Sequence, residues 1–309
     1  MYPTRSVNLL LHCFVLFLML ESIVVATAEK EVEKEQQQQS LRHHRRLTSE
    51  SERPSIHTYY EQSDTYDPTD DTLDLLENWR KNWYDMGWNP IILTPQQAQK
   101  LPQYEELMSY LPMEEITPEA VRAYKRWIAM ASIGGGWMCD FKVFPLNHFL
   151  HHGRKLPFDG ALTVYMGTNP VLVSGSADEY LRLVYQIGPT ASKMIDHQKW
   201  MNENYPESYK KNFVWTDSAA LQELRKSVSK DMFKLRGDVV EKNRLVIDGD
   251  ESNIDCEAAA GKRAIYYRVL VTTPEESKGI QASRFVNQWR AACEIGMAAE
   301  LPASATAKG

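Results

Sequence analysis

An α/β fold built around a parallel sheet is what this sequence predicts, on three observations. IHTYY (56–60), a helical run from Thr72 to Met86 and WNPIILT (88–94) follow one another as strand, helix and strand, the opening of a βαβ unit. Strand-like and helix-like segments keep alternating to the end of the chain, with no internal repeat. The 309 residues are 43% hydrophobic, enough to bury one sizeable core or two small ones.

Each element has a local reason. In the first helix Leu73, Leu76, Trp79, Trp83 and Met86 recur at three- and four-residue spacing, Thr72 is a candidate cap, and Gly87 ends the run. Pro95, Pro102 and Pro112 make the next stretch read as loop. Thr117-Pro118-Glu119 then opens a long helix through AVRAYKRWIAMAS, stopped by Gly134-Gly135-Gly136. WMCDFKVF reads as one buried strand bearing Asp140 near its end and closed by Pro145. ALTVYM and PVLVSGS are further strands. DEYLRLVYQIG is a helix broken at Gly188-Pro189, DSAALQELRKSV a second helix, AIYYRVLV (264–271) a late strand and SRFVNQWRAAC a terminal helix. Eight tryptophans and fifteen tyrosines suit a packed core first, and stacking on sugars or bases second.

The amino-terminal part has a different character. Residues 1–28 combine Arg5, an apolar run Leu9–Leu20 and Ala26-Thr27-Ala28, the layout of a cleaved secretory signal. Read as an anchor instead, the apolar segment 9–26 is interrupted by Glu21 and Ser22. Residues 29–54, rich in Glu, Gln and Arg, read as a disordered stem or propeptide, with Arg45-Arg46 a candidate processing site. The folded domain is expected over 55–300 and a flexible tail over 301–309. With Cys13 removed in a cleaved signal, Cys139, Cys256 and Cys293 permit one disulfide and one thiol. No Asn-x-Ser/Thr sequon is present. A net charge of -6 argues against nucleic acid as a partner and against an anionic membrane, leaving segment 9–26 as the one route to a bilayer.

The chemistry-bearing stretch is GGGWMCDFKVFP (134–145). A helix carrying Arg126, a glycine run and a strand ending in Asp140 is one way to build a diphosphate site: glycines admit close approach, and strand carboxyl ends present side chains at the sheet's edge. The same junction also serves as an ordinary turn. His148, His151 and His152 lack a partner at ligand spacing, so zinc is not expected there.

AYKRWIAMASIGGGWMCDFKVFP resembles the Asp-x-Asp region of GT-A-type glycosyltransferases, notably the group related to the α-1,6-mannosyltransferase initiators. The matching positions are Arg126-Trp127, Gly135-Gly136, Trp137 and Asp140, with one extra residue between aromatic and acid. The resemblance covers about residues 55–145 and is thin from 160 to 300. It implies a GT-A-like domain with a mainly parallel central sheet flanked by helices. It also implies transfer of a sugar from a nucleotide-diphosphate donor to a hydroxyl of a glycan, lipid or protein, with Mn²⁺ or Mg²⁺ bridging the diphosphate. Arg126, Gly135, Gly136, Trp137, Asp140 and Lys142 would then surround the donor, and Asp140 would face the metal. Lys142 stands where the second acid would ligate it; an ammonium cannot do so, but it pairs with phosphate. Either Lys142 and Arg126 replace the metal's charge, or activity is weakened or lost. Asp217, in WTDSAAL, resembles an acid-bearing turn of the family and is the candidate base, with helix capping as its other reading. Asp159, in PFDGA, is a weaker candidate of the same kind.

The implied location is the secretory pathway, as a Golgi-lumenal protein or a secreted one. Two other functions stay open: a nucleotide- or glycan-binding protein without turnover, and a secreted effector or interaction protein. RRLT followed by SER resembles the Arg-x-Leu-Arg and Glu-Glu-Arg signals of secreted oomycete effectors, short of the fourth arginine.

Overall fold

β1 (Ser55–Tyr59) is the strand from which the sheet grows in both directions. The computed structural model describes residues 53–62, 70–146, 155–205, 214–268 and 276–297. The targeting segment, most of the stem, the carboxyl-terminal tail and the three histidines of 147–154 lie outside the described residues. What is described belongs, from Pro54 onward, to one compact unit, Pro54–Gly309. Among the described residues no helix is long and apolar enough to cross a membrane.

From β1 the chain forms α1 (Asp70–Asp85) and returns as β2 (Asn89–Leu93), parallel to β1 along its whole length. It then forms the short helices α2 (Pro95–Gln99) and α3 (Tyr104–Ser109), the long α4 (Pro118–Ser132), and β3 (Gly135–Cys139). β3 lies parallel to β1 on the side away from β2. Next come β4 (Val143–Pro145), β5 (Thr163–Met166), β6 (Asn169–Ser176), α5 (Ala177–Asn204), α6 (Asp217–Ser227) and β7 (Lys234–Leu235). β8 (Val239–Glu241), β9 (Val246–Ile247), β10 (Asp250–Ile254), β11 (Ala264–Tyr266) and α7 (Lys278–Met297) complete the described chain.

The central sheet has six strands in the order β2-β1-β3-β6-β5-β7. β6 runs antiparallel to both β3 and β5, whereas β2-β1-β3 and β5-β7 are parallel pairings. The expected parallel character therefore holds for β2-β1-β3, and the sheet as a whole is mixed. A three-stranded sheet, β4-β11-β8, and the β9-β10 hairpin stand beside it.

Each face of the sheet has its own core. On one, Trp79 and Trp83 of α1 pack with Trp88, Trp137, Phe285 and Trp289. Trp88 stands edge-on to Trp83 at 5.5 Å and to Trp137 at 5.7 Å, a geometry that suits the aromatic quadrupole. On the other face α4 and α5 bury Trp127, Ile128, Tyr180 and Val184. Seven of the eight tryptophans are at most 2% exposed, so the core reading of the aromatics holds; Trp200 is the exposed one. Cys256 and Cys293 form a disulfide, tying α7 to the segment before β11, and leave Cys139 as a buried thiol.

Three local expectations are corrected. The Pro-containing stretch 95–112 holds α2 and α3, because Pro95 occupies a first helical position behind Thr94, where its missing N–H is no loss. WMCDFKVF is not one strand: it breaks at Asp140, whose Oδ1 accepts from the Lys142 amide at 2.8 Å, while Val143 N–H donates to the Asp140 carbonyl at 2.9 Å. Nor does Gly188-Pro189 end α5, which runs 28 residues through Pro189. Buried Leu183, Ile187 and Ala191 lie on both sides of the proline, and their shared core offsets the one lost backbone bond. Gly188 is needed where it stands, since a Cβ there would lie 2.8 Å from the Tyr124 hydroxyl and 2.9 Å from the Tyr110 Cβ.

The glycine run has a structural cause of its own. Gly135 has φ +80°, and a Cβ on it would lie 2.5–2.6 Å from backbone atoms of Gly175, Ser176 and Ala177. Here β3 meets the β6–α5 junction main chain to main chain. Gly135→Ala is expected to destabilise the fold by about 2–4 kcal/mol, summing left-handed strain and overpacking. Denaturant unfolding of the variant against the parent protein measures it, and a change under 1 kcal/mol would show that the junction relaxes.

Candidate functional site

Chain winding reverses at β1, since β2 is laid down on one side and β3 on the other. In open α/β sheets the carboxyl ends of strands splay at such a reversal and leave a crevice that side chains from two loops can line. A cavity of about 370 Å³ sits there. Its lining includes Tyr59 at the end of β1 with Tyr60 and Glu61 beyond it, Asp140 and Lys142 after β3, and Arg122 and Arg126 of α4.

α4 is aimed at the crevice by its start. Thr117 caps it, its hydroxyl accepting from the Ala120 amide at 3.3 Å, and Pro118 stands at the first position. The buried stripe Val121, Tyr124, Trp127, Ile128 and Ala131 packs on the sheet, so Arg122 and Arg126 fall on the flank beside the strand ends.

The charges are arranged in pairs. Glu61 accepts from Lys125 Nζ at 2.8 Å and from the Tyr59 hydroxyl at 2.9 Å. Burial, with the Glu61 carboxylate beside it, pushes the Tyr59 hydroxyl well above its ordinary range, so it stays a donor. Arg122 pairs with Glu119 at 2.8 Å. Arg126 donates from Nε at 3.1 Å and from Nη2 at 2.5 Å to Asp217 Oδ2, which also accepts from Trp127 Nε1 at 2.9 Å. Burial alone would lower the Arg126 pKa; the Asp217 and Asp140 carboxylates outweigh it, and the net direction is upward. Asp140 and Lys142 are left over from these pairs: among the described residues Lys142 makes no ion pair, and Asp140 spends one oxygen on its own turn.

Arg126, Asp140 and Lys142 are thus brought together as the sequence suggested. The other candidates are not. Gly135 and Gly136 begin β3, whereas Asp140 follows its end, roughly 13–16 Å away at strand rise. Their role is the backbone junction with β6 and α5. Trp137 is 2% exposed, between Trp88 and Tyr165 in the core, and lines a different cavity. Asp217 is 5% exposed and does not line the crevice. The cap of α6 is Thr216, which accepts from the Ala219 amide at 3.1 Å, so Asp217 serves as counter-ion to Arg126 rather than as cap. Asp159 is exposed in the turn Pro157–Gly160 at that other cavity. Tyr59, Tyr60, Glu61 and Arg122 line the crevice without having been singled out; the end of IHTYYE, the first strand of the βαβ unit, was the signal that could have found them.

A divalent ion does not fit this donor set. Glu61 and Glu119 are held by Lys125 and Arg122, Asp140 Oδ1 by its turn amide, and the position two residues beyond Asp140 carries an ammonium. No group of three or more His, Cys, Asp and Glu suited to a metal occurs among the described residues.

Asp217→Ala strands a guanidinium whose side chain is only 15% exposed. A cost of about 3 kcal/mol is expected, the lower end for breaking a buried pair because Arg126 retains some contact with water. Chemical denaturation measures it, with Asp217→Asn retaining part of the hydrogen bonding and falling between; an unchanged midpoint in Asp217→Ala would remove Asp217 as the anchor of Arg126.

No curated protein matches the chain. A family model described as a domain of unknown function, DUF8765, matches residues 38–234, more than half of the sequence and all of the crevice. The chain belongs to this DUF8765 family.

Proposed function

We propose that this protein is a glycosyltransferase-like member of the secretory pathway. Its β1/β3 crevice takes the diphosphate of a nucleotide sugar, and transfer to a hydroxyl of a glycan, lipid or protein is weakened. The observation that carries this reading is the coincidence of a cavity, a winding reversal, and Arg126, Asp140 and Lys142 at one pair of strand ends. The GT-A-like assignment draws on the same features, together with the sequence resemblance over 55–145. The disulfide Cys256–Cys293 favours an oxidising compartment, in keeping with residues 1–28 as a signal or with segment 9–26 as an anchor.

Phosphate oxygens would be met by the Lys142 ammonium and the Arg126 guanidinium, charge-assisted donors that do the work of a cation without coordination chemistry. Asp140 would face the ribose hydroxyls as acceptor. A reading without turnover is favoured by one specific fact: among the described residues neither candidate base stands free in the crevice, since Asp217 is spent on Arg126 and Asp159 lines the other cavity.

Calorimetric titration with UDP- and GDP-sugars, in chelator and then in Mn²⁺, tests the proposal. Binding in chelator is expected, weakened about 10- to 100-fold in Lys142→Ala, the range for losing a hydrogen bond to a charged group. Lys142→Asp is expected to make binding depend on Mn²⁺ by restoring a second oxygen ligand. Absence of binding by every nucleotide sugar in both conditions would sink the reading, and binding by the parent only with Mn²⁺ would sink its metal-free form.

A further inference from the structure

A second cavity of about 370 Å³ shares no lining residue with the crevice. Its base is the ring pair Trp137 and Tyr165, with centroids 5.2 Å apart. Arg236 and Arg263 line it as well. Arg236 Nε donates to Asp238 Oδ1 at 3.1 Å, and the Nε atoms of both arginines lie at ion-pair distance from Oδ2, 3.0 Å each, with Asp238 7% exposed. Their backbones are fixed too: Arg236 N–H donates to the Val164 carbonyl at 2.8 Å and Arg263 N–H to the Asp238 carbonyl at 2.7 Å. One carboxylate therefore lies against both guanidiniums and holds them side by side. At the rim Lys155 and Asp159 lie 3.8 Å apart and cancel. Among the described lining residues the basic side chains Lys155, Arg236 and Arg263 outnumber the one acid, Asp159, beside aromatic walls.

The turn over this cavity is strained. Phe158 (φ 52°, ψ 40°) and Asp159 (φ 54°, ψ 33°) are consecutive left-handed residues, although neither is glycine. Asp tolerates that region; Phe does not gain from it. Phe158 is nevertheless 52% exposed, lining the cavity rather than filling the core. A strained backbone that presents an exposed aromatic ring beside paired arginines is the pattern expected of a binding site rather than of packing.

We propose that this cavity binds a small ring-bearing anion, its carboxylate or phosphate on Arg236 and Arg263 and its ring against Phe158. The volume admits one ring and one acidic group, and the arginine forks suit planar carboxylates and phosphates alike. This site stands independently of the nucleotide-sugar reading.

Four probes test it on the unmutated full chain by calorimetry: phenyl phosphate, benzoate, neutral benzyl alcohol, and inorganic phosphate alone. At least one of the two ring-bearing anions is expected to bind tenfold or more tightly than both benzyl alcohol and inorganic phosphate, and the better of the pair identifies the acidic group. Arg236→Gln is expected to abolish that preference, and Phe158→Gly to weaken the anion at least tenfold while the melting temperature holds or rises. Lys142→Ala, in the other crevice, is expected to leave it unchanged. Equal affinity for charged and neutral rings, no binding of either anion, or loss of binding in Lys142→Ala would each overturn the proposal. The comparison of probes on the unmutated protein decides the matter even where Arg236→Gln fails to fold.

Discussion

The reversal of winding at β1 determines where both helical layers and the crevice lie. A right-handed crossover from β1 to β2 puts α1 over one face of the sheet, and one in the opposite direction to β3 puts α4 over the other. The core follows that division: Trp79 and Trp83 of α1 are buried on one face, Trp127 and Ile128 of α4 on the other. The loops after β1 and β3 then leave the sheet in diverging directions, and the space between them is the crevice. Arg126 can stand in that space because Asp217, carried on α6, offsets most of the cost of burying its charge.

The stretch 134–145 divides into two parts with separate work. Its glycines belong to the amino end of β3, where Gly135 lets two backbones meet. Its Asp140 belongs to the carboxyl end, where the strand turns over Phe141 and Lys142 into β4. Proximity in sequence had suggested one site; five residues of extended chain separate the two ends. That geometry separates the glycines from Arg126, Asp140 and Lys142 at the crevice.

Much of the fold was legible because it rests on local signals. The spacing of Trp79 and Trp83, the Thr117-Pro118 start of α4 and the β-branched or aromatic run of β1 each act over a few residues. Less legible was whatever depends on distant partners. β6 lies antiparallel between β3 and β5, an outcome of tertiary pairing that PVLVSGS does not encode in its own pattern. The passage of α5 through Pro189 depends on the core on both of its sides. At the site, the Asp217–Arg126 pair spans 91 residues and the Glu61–Lys125 pair 64, so neither carboxylate's role could be read from its neighbours.

On the function proposed, a nucleotide diphosphate binds in the crevice between the ends of β1 and β3. Backbone amide NMR of the isotope-labelled protein, titrated with UDP in the presence of chelator, tests it most directly. Saturable shifts are expected at Tyr60, Glu61, Asp140, Phe141 and Lys142, with the amides of Gly135 and Gly136 at the opposite end of β3 unmoved. Saturable shifts at the glycines with none at Asp140–Lys142, or no shifts at millimolar UDP, would contradict it.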